Sequence, residues 1–237
     1  MRFFLYCALF FMFISSLSAA DGKHLFILSG QSNMKRLNPE DTFKPAVSKE
    51  FGANNVIVVH DAQGGESINR WYKKWQFEGF DKTKRIGQLY DRLMSNVKPA
   101  IANEKIVTVT FIWMQGERDA KMKWGDIYEE SLYGLFEQLK EDLGRQDLNF
   151  VLGRLSDHDL QNKKAKHWTK VRAIQEKVAD SSSRGAWIDT DDLNTGKGGK
   201  DNKLKDYKDD LHMTIEGYKI MGERFAASAI ELIKKHQ

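Results

Sequence analysis

A short apolar run that ends in a glycine constrains this chain more than any other feature. Residues 25–34 read LFILSGQSNM. An apolar run of this length is typical of a buried parallel strand, and Gly30 permits a sharp exit because it has no Cβ. Ligands of open α/β sheets bind outside the carboxyl ends of the strands. Ser32 is therefore either a catalytic residue or the N-cap of a helix that begins near Asn33. This stretch alone favours neither role.

The first 20 residues have the pattern of a secretory leader. One basic residue, Arg2, precedes an apolar stretch at 3–14, and the small residues Ser-Ala-Ala follow at 18–20. The apolar stretch is shorter than the roughly 20 residues of a spanning helix. We expect cleavage after Ala20, a secreted or periplasmic protein that comprises 21–237, and no membrane span.

Composition excludes several classes of site. The one cysteine, Cys7, lies in the predicted leader, so the mature protein would have neither a disulfide nor a thiolate nucleophile or metal ligand. The formal net charge is +4, or +3 without Arg2. Lysines gather at 197–208, but acidic residues interrupt them and no aromatic residues interleave as in a nucleic-acid groove. We therefore expect no nucleic-acid partner and interpret this segment as a solvated loop.

Strand-like and helix-like patterns alternate along the chain. Apolar or β-branched runs predict five strands, which begin at 25, 55, 106, 150 and 186. Apolar residues spaced three and four apart predict helices at 43–51, about 86–97, 127–143, about 165–179 and 214–235. This alternation predicts a three-layer α/β fold with a five-stranded parallel sheet. No repeat or linker interrupts it, so 21–237 is interpreted as one domain.

Polar segments follow the predicted strands and should meet at one edge of the sheet. They lie at 31–33, 64–65, 115–119 and 209–212. A serine nucleophile needs a general base within hydrogen-bonding reach and an acid that orients the base. His212 and Asp209 can fill these two roles for Ser32.

An oxyanion hole completes such a site. It needs backbone N–H groups and can include a side-chain amide. The predicted loops place Gly65, Ser32 itself and Gln115 for this purpose. Glu117, beside Gln115, is either a helper acid for catalysis or a residue that holds its own loop through backbone N–H groups.

These motifs resemble those of the SGNH hydrolase superfamily, in its carbohydrate O-acetylesterase branch of sialate O-acetylesterases and acetylxylan esterases. The resemblance rests on Gly-Gln-Ser-Asn at 30–33, Gly-Gly at 64–65 followed by Trp71, Gln-Gly-Glu-x-Asp at 115–119 and Asp-x-x-His at 209–212. It covers nearly the whole mature chain and implies a flavodoxin-like α/β/α sandwich.

The resemblance also implies roles for individual residues. Ser32 matches the nucleophile, Asp209 and His212 match the acid and base, and Gly65 and Gln115 match the oxyanion donors. One departure is Lys35-Arg36, where members often have a small residue, and it bears on the charge at the rim of the pocket.

Other readings of single residues are weaker. His60 and His158 lack the repeated spacing of metal ligands, so we expect no metal site and no cofactor. An α/β-hydrolase elbow needs Gly-x-Ser-x-Gly, and Met34 stands at the second glycine position. Trp71, Tyr72 and Trp75 are either core residues or contacts to a sugar ring.

The sequence thus predicts an exported serine esterase that removes O-acetyl groups from a carbohydrate. Sialic acid, xylan and similar acetylated glycans all remain open as substrates, as does the oligomeric state. Two alternatives are a lipolytic or thioesterase member of the superfamily and a catalytically silent carbohydrate-binding protein.

Overall fold

A sheet of five parallel strands forms the centre of the molecule. The computed structural model describes residues 22–80, 85–194 and 210–237. The strands are β1 (Lys23–Gly30), β2 (Val56–Ala62), β3 (Ile106–Met114), β4 (Asn149–Gly153) and β5 (Gly185–Ile188). Their order is β2-β1-β3-β4-β5, and every neighbouring pair is parallel. The predicted five-stranded parallel sheet is confirmed. Its strand order is that of flavodoxin-like folds, in which the order of the strands reverses between β1 and β3 while all strands stay parallel.

Helices cover both faces of this sheet. They are α1 (Ser32–Arg36), α2 (Phe43–Phe51), α3 (Gln88–Ile101), α4 (Glu117–Met122), α5 (Gly125–Leu143), α6 (Trp168–Asp180) and α7 (Ile215–Lys235). The five long helices that periodicity predicts are all present, with ends that differ by up to three or four residues. The short α4 was not predicted, because its sequence is polar and carries no apolar stripe.

The alternation of side chains along β1 divides the core into two layers. Leu25 and Ile27 point to the face covered by α3, α5 and α6, whereas Phe26 and Leu28 point to the face covered by α2 and α7. All four side chains are at most 1% exposed. Both faces of β1 are thus fully covered, as expected for the centre of a parallel sheet.

Two predicted segments fall outside the described residues. They are the leader at 1–20 and the lysine-rich segment at 197–208. Within 22–80, 85–194 and 210–237, no helix is long and apolar enough to cross a membrane.

Candidate active site

The exit from β1 fixes the position of Ser32. Gly30 has a φ of +144°, and a Cβ added there would lie 2.0 Å from the carbonyl oxygen of Met114, so only glycine fits. The N–H of Gln31 donates to that same oxygen at 2.9 Å. The chain therefore turns away from the sheet at the carboxyl ends of β1 and β3, which is the switch point where such folds bind ligands.

The hydroxyl of Ser32 faces a histidine from the other end of the chain. Ser32 is the first residue of α1, whose N-cap, Gln31, makes no side-chain capping bond. The Nε2 atom of His212 lies 3.0 Å from Oγ of Ser32. This distance is within the range over which a general base can take the proton of a nucleophile. The predicted nucleophile and base are therefore brought together.

The loop after β2 runs past the same hydroxyl. A Cβ added at Gly64 would lie 3.6 Å from Cβ of Ser32. Gly65 is exposed and has a φ of +76°, a conformation that favours glycine. Gly65, the predicted oxyanion donor, thus follows directly on Gly64, which lies close to Ser32. The predicted acid, Asp209, lies outside the described residues.

Gln115 is placed beneath the site rather than at its surface. Its side chain is fully buried, and its amide nitrogen donates to Oδ2 of Asp119 at 2.5 Å, to the carbonyl oxygen of Glu66 at 3.1 Å and to Oε1 of Gln31 at 3.3 Å. These protein acceptors occupy both N–H groups of the amide. In this conformation Gln115 holds three loops together, and its assignment as an oxyanion donor stays a prediction that requires one of these bonds to be exchanged.

Glu117 binds the residue that follows the nucleophile. Its Oε1 atom accepts a hydrogen bond from Nδ2 of Asn33 at 2.9 Å, and the same Nδ2 donates to the carbonyl oxygen of Leu211 at 3.2 Å. The hydroxyl of Tyr218 donates to Oδ1 of Asn33 at 2.9 Å. Within the described chain, no hydrogen bond joins Glu117 to His212. Its carboxylate reaches the base only through Asn33 and the backbone of Leu211.

Two carboxyl groups are buried beside the site. Glu117 and Asp119 are 5% and 0% exposed. Burial raises the pKa of each to about 7, because removal from water disfavours the ionised form. For Asp119, the hydrogen bond from Gln115 opposes this shift and the charge of Glu117 reinforces it. Both carboxyl groups therefore titrate near neutral pH.

A cleft of about 570 Å³ lies beside the loop that carries Glu66 and the start of α4 at Arg118. Its walls are formed by Glu66, Ser67, Asn69, Arg70, Gly79, Phe80, Arg85, Arg118, Met122 and Trp124. Two of its lining residues bond to residues near Ser32: the carbonyl oxygen of Glu66 accepts from Gln115, and the N–H of Arg118 donates to Oε1 of Gln31 at 3.2 Å. Three arginines and one glutamate give this cleft an excess of positive charge.

His60 and His158, the two histidines weighed above as metal ligands, have other partners. His60 contacts the carbonyl oxygen of Met34 through Nε2 at 2.9 Å, and burial lowers its pKa. The ring of His158 packs on that of Trp168 with centroids 5.4 Å apart. No group of three or more potential ligands that could hold a metal occurs in the part of the chain that the structure describes.

Trp71 and Trp75, which the sequence left as either core residues or contacts to a sugar ring, are core residues. Trp71 and Trp75 are 1% and 3% exposed, and Trp71 packs edge-on against Trp113 with ring centroids 5.1 Å apart. Their rings are therefore not available to stack on a sugar. Trp124, which the sequence did not single out, instead lines the cleft beside Phe80.

Three residues around the site have no distinctive sequence pattern. Asn33 belongs to the Gly-Gln-Ser-Asn motif, and Tyr218 and Tyr128 lie at the helical spacing of buried residues. The Tyr128 hydroxyl lies 2.8 Å from the carbonyl oxygen and 3.1 Å from Oε1 of Gln115. In each case the polar atom acts on a residue distant in sequence.

Comparison with family models gives one match over most of the chain. Residues 35–231 match the family described as carbohydrate esterase, sialic acid-specific acetylesterase. The matched span includes His212 and begins three residues after Ser32, so the role of Ser32 depends on its geometry. No curated protein matches the sequence at a significant level.

Solved structures show the same fold. A protein from Arabidopsis thaliana superposes with a TM-score of 0.64 at 19% identity, covering 89% of this chain and 98% of its own. A carbohydrate acetylesterase from Xanthomonas citri gives a TM-score of 0.63 at 17% identity over 90% of this chain and 57% of its own. The protein NanS gives 0.63 at 12% identity over 91% and 98%.

Proposed function

Because the chain belongs to the carbohydrate esterase family described as sialic acid-specific acetylesterases, we propose that it removes O-acetyl groups from a sugar through an acyl-enzyme on Ser32. The observation that carries this proposal is the 3.0 Å contact between Oγ of Ser32 and Nε2 of His212. The leader predicted at 1–20 supports export, so the substrate would be met outside the cytoplasm.

The proposed reaction has two steps. The hydroxyl oxygen of Ser32 attacks the acetyl carbonyl carbon while Nε2 of His212 takes the hydroxyl proton. The tetrahedral intermediate then expels the sugar oxygen, which receives that proton from His212, and the acetyl group stays on Ser32. His212 then takes a proton from water, whose oxygen attacks the carbonyl carbon of the acetyl-enzyme. The second tetrahedral intermediate breaks its bond to Oγ of Ser32, which takes that proton from His212, and acetic acid leaves and ionises to acetate. Asp209 is proposed to orient the imidazole.

Backbone donors are proposed to stabilise the oxyanion. The N–H groups of Ser32 and Gly65 belong to the two loops that meet at the hydroxyl, where charge develops on the carbonyl oxygen. The Gln115 amide would join them only by giving up one of its protein acceptors. The resemblance to the superfamily supports Gln115 as this third donor. The hydrogen bonds that its amide already makes within the protein instead favour a structural role, in which it holds the surrounding loops.

Charge in the cleft favours an acidic sugar over neutral xylan. Arg70 is paired with Glu66 at 2.8 Å, which leaves Arg85 and Arg118 without a compensating acid among the cleft residues. Guanidinium groups bind carboxylates in a planar, two-pronged geometry. We propose that these arginines bind the carboxylate of an O-acetylated sialic acid while its acetyl group lies at Ser32.

The test measures acetate release from O-acetylated sialic acid and acetylated xylan. Arg118→Gln is expected to raise KM for the acidic sugar about 10-fold, the value of one charge-assisted hydrogen bond, and to change KM for nitrophenyl acetate much less. Lys98→Gln, an exposed cation on α3, is the matched control for net charge. Equal effects of both variants, or preference for xylan, would reject the acidic substrate. No acetate from any glycan would reject the esterase proposal.

A catalytically silent binding protein is the less favoured alternative. Recognition of a sugar does not require a serine hydroxyl aligned on a histidine nitrogen. A lipolytic enzyme is also less favoured, because the cleft formed with Glu66 and Arg118 has three arginines along its walls.

A further inference from the structure

A chain of three hydrogen bonds, two of them buried, encloses the segment that carries His212. Nδ2 of Asn33 donates to the carbonyl oxygen of Leu211 at 3.2 Å, on one side of the histidine. On the other side, the N–H of Met213 donates to the hydroxyl of Tyr218 at 3.3 Å. That hydroxyl in turn donates to Oδ1 of Asn33 at 2.9 Å. The backbone is therefore held immediately before and immediately after the base.

The participants have little freedom to move. Asn33 is 1% exposed, Tyr218 is 6% exposed and Met213 is fully buried. Asn33 follows Ser32 directly, and it binds Leu211 itself and Met213 through the Tyr218 hydroxyl. The segment that carries His212 is thus tied to the residue next to Ser32.

Glu117 fixes the orientation of the Asn33 amide. Its Oε1 atom accepts from Nδ2 at 2.9 Å, while Oδ1 of the amide accepts from Tyr218, so both ends of the amide have a partner of the correct polarity. An inverted amide would set its oxygen against Oε1 of Glu117 and its nitrogen against a hydroxyl that already accepts from the N–H of Met213. The buried carboxylate at 117 thus determines which side of Asn33 faces Leu211.

We propose that Asn33 and Tyr218 are positioning residues that hold His212 in line with Ser32, and that Glu117 orients them. This proposal rests on the proposed function for its catalytic consequence. Its structural content, a base segment fixed from both sides, holds without turnover. Because a misplacement of about 1 Å can cost about 100-fold in rate, loss of these bonds should lower kcat rather than weaken substrate binding.

Tyr218→Phe is the mildest test, since it removes one hydroxyl and keeps the ring. We expect kcat for nitrophenyl acetate to fall about 10-fold with KM within about twofold. Tyr90→Phe is the matched control, because the Tyr90 hydroxyl is also buried and donates to Asp142 at 2.8 Å, on α5 and away from the site. The control is expected to lose stability and keep kcat.

Exchanging the hydrogen-bond donor and acceptor between positions 33 and 117 distinguishes a positioning role from a general loss of folded structure. Asn33→Asp removes the amide donor and sets two carboxyl groups against each other, so kcat should fall further than in Tyr218→Phe. Adding Glu117→Gln re-forms the bond with donor and acceptor exchanged and should recover part of kcat. A double variant slower than Asn33→Asp alone would contradict the proposed pairing.

Two readouts distinguish failure of this proposal from failure of the proposed function. The first is the rate at which a fluorophosphonate labels Ser32, detected by mass spectrometry. The second is the Cε1–H NMR signal of His212, assigned with His212→Ala. In Tyr218→Phe we expect slower labelling together with a shifted or broadened signal, and in Tyr90→Phe neither change.

Each outcome decides one of the two proposals. An unchanged signal and unchanged labelling in Tyr218→Phe would overturn the positioning role. A changed signal in a protein whose wild type neither reacts with the fluorophosphonate nor releases acetate would support the positioning network and reject the esterase mechanism.

Discussion

The Nε2 atom of His212 lies 3.0 Å from Oγ of Ser32, although 180 residues separate the two positions in sequence. Ser32 follows the first strand, and His212 precedes the last helix. The contact exists because a parallel sheet carries the carboxyl ends of its strands to one edge. Small errors in the packing of α7 against the sheet would therefore separate the pair, so esterase activity should depend on the complete fold.

Removal of the nucleophile should abolish turnover without loss of stability. Ser32→Ala is expected to lower kcat for nitrophenyl acetate at least about 10⁴-fold, with a thermal midpoint close to that of the wild type, since Ser32 is only half-buried. Ser29→Ala is the control: its hydroxyl is buried and donates to the carbonyl oxygen of Asp61 at 2.7 Å. That variant should lose about 1 kcal/mol of stability and keep its activity. The reverse pattern would reject Ser32 as the nucleophile.

Glycine at position 30 is expected to be essential for folding. Gly30→Ala would force its new Cβ against the carbonyl oxygen of Met114 in a conformation with φ of +144°. Gly144 also has a positive φ, +62°, but an added Cβ there meets nothing within 4 Å. We expect Gly144→Ala to cost about 1 kcal/mol and Gly30→Ala to yield little folded protein. Chemical denaturation and soluble yield measure both, and equal effects would contradict the steric argument.

The sheet and the meeting of Ser32 with His212 could be predicted from sequence because their signals are local. Apolar runs such as 106–114 have the same limits as the strand they form, and Ser32 follows its strand in a recognisable motif. The supporting network could not be predicted in this way. The bond between Asn33 and Tyr218 joins a motif residue to one on the apolar face of a helix, and only the packing of α7 on the sheet brings them together.

The burial of Gln115 could not be predicted for the same reason. Its sequence position, just after β3, is that of an exposed loop donor. Its actual environment is set by Asp119, which follows one helical turn later and accepts from its amide, and by the loop that contains Glu66. The side-chain direction depends on the short helix α4, for which the polar sequence gives no periodic signal.

Comparison of two acids should identify the partner of the base. Asp209→Asn is expected to lower kcat/KM more than Glu117→Gln, because Glu117 binds Asn33 and makes no hydrogen bond to His212 within the described chain. Both substitutions replace a carboxylate by an amide of the same shape. A larger loss for Glu117→Gln would transfer the role of helper acid to Glu117.

The buried carboxyl of Glu117 should make stability depend on pH. Its pKa in the folded protein is about 7, above the ordinary 4.5, so the folded state holds a proton that the unfolded state has released. Its stabilising contribution is therefore complete below about pH 4.5 and is lost as pH rises through 7. Glu117→Gln cannot ionise, so it should gain stability relative to the wild type between pH 4.5 and 8.

Urea denaturation at pH 4.5, 6 and 8 measures this difference. One unit of pKa corresponds to about 1.4 kcal/mol, so a swing of a few kcal/mol is the upper limit. Glu223→Gln, which removes an exposed carboxylate on α7, is the control and should show a smaller swing. A constant difference between Glu117→Gln and the wild type at all three pH values would show that Glu117 does not titrate in this range.

Acyl-chain length should distinguish a sugar deacetylase from a lipolytic enzyme. Each CH₂ group that a channel buries contributes about 0.8 kcal/mol, so a lipolytic site would give kcat/KM values that rise from acetyl to octanoyl esters. The cleft formed with Glu66 and Arg118 is instead lined by three arginines, and the exposed Arg118 binds Gln31, the residue before Ser32, through its backbone N–H. We expect nitrophenyl acetate to be the best of a series of nitrophenyl esters and the butyrate already poorer. Preference for octanoate would reject the carbohydrate substrate and leave the Ser32 mechanism intact, because the length of the acyl chain does not alter the attack on its carbonyl carbon.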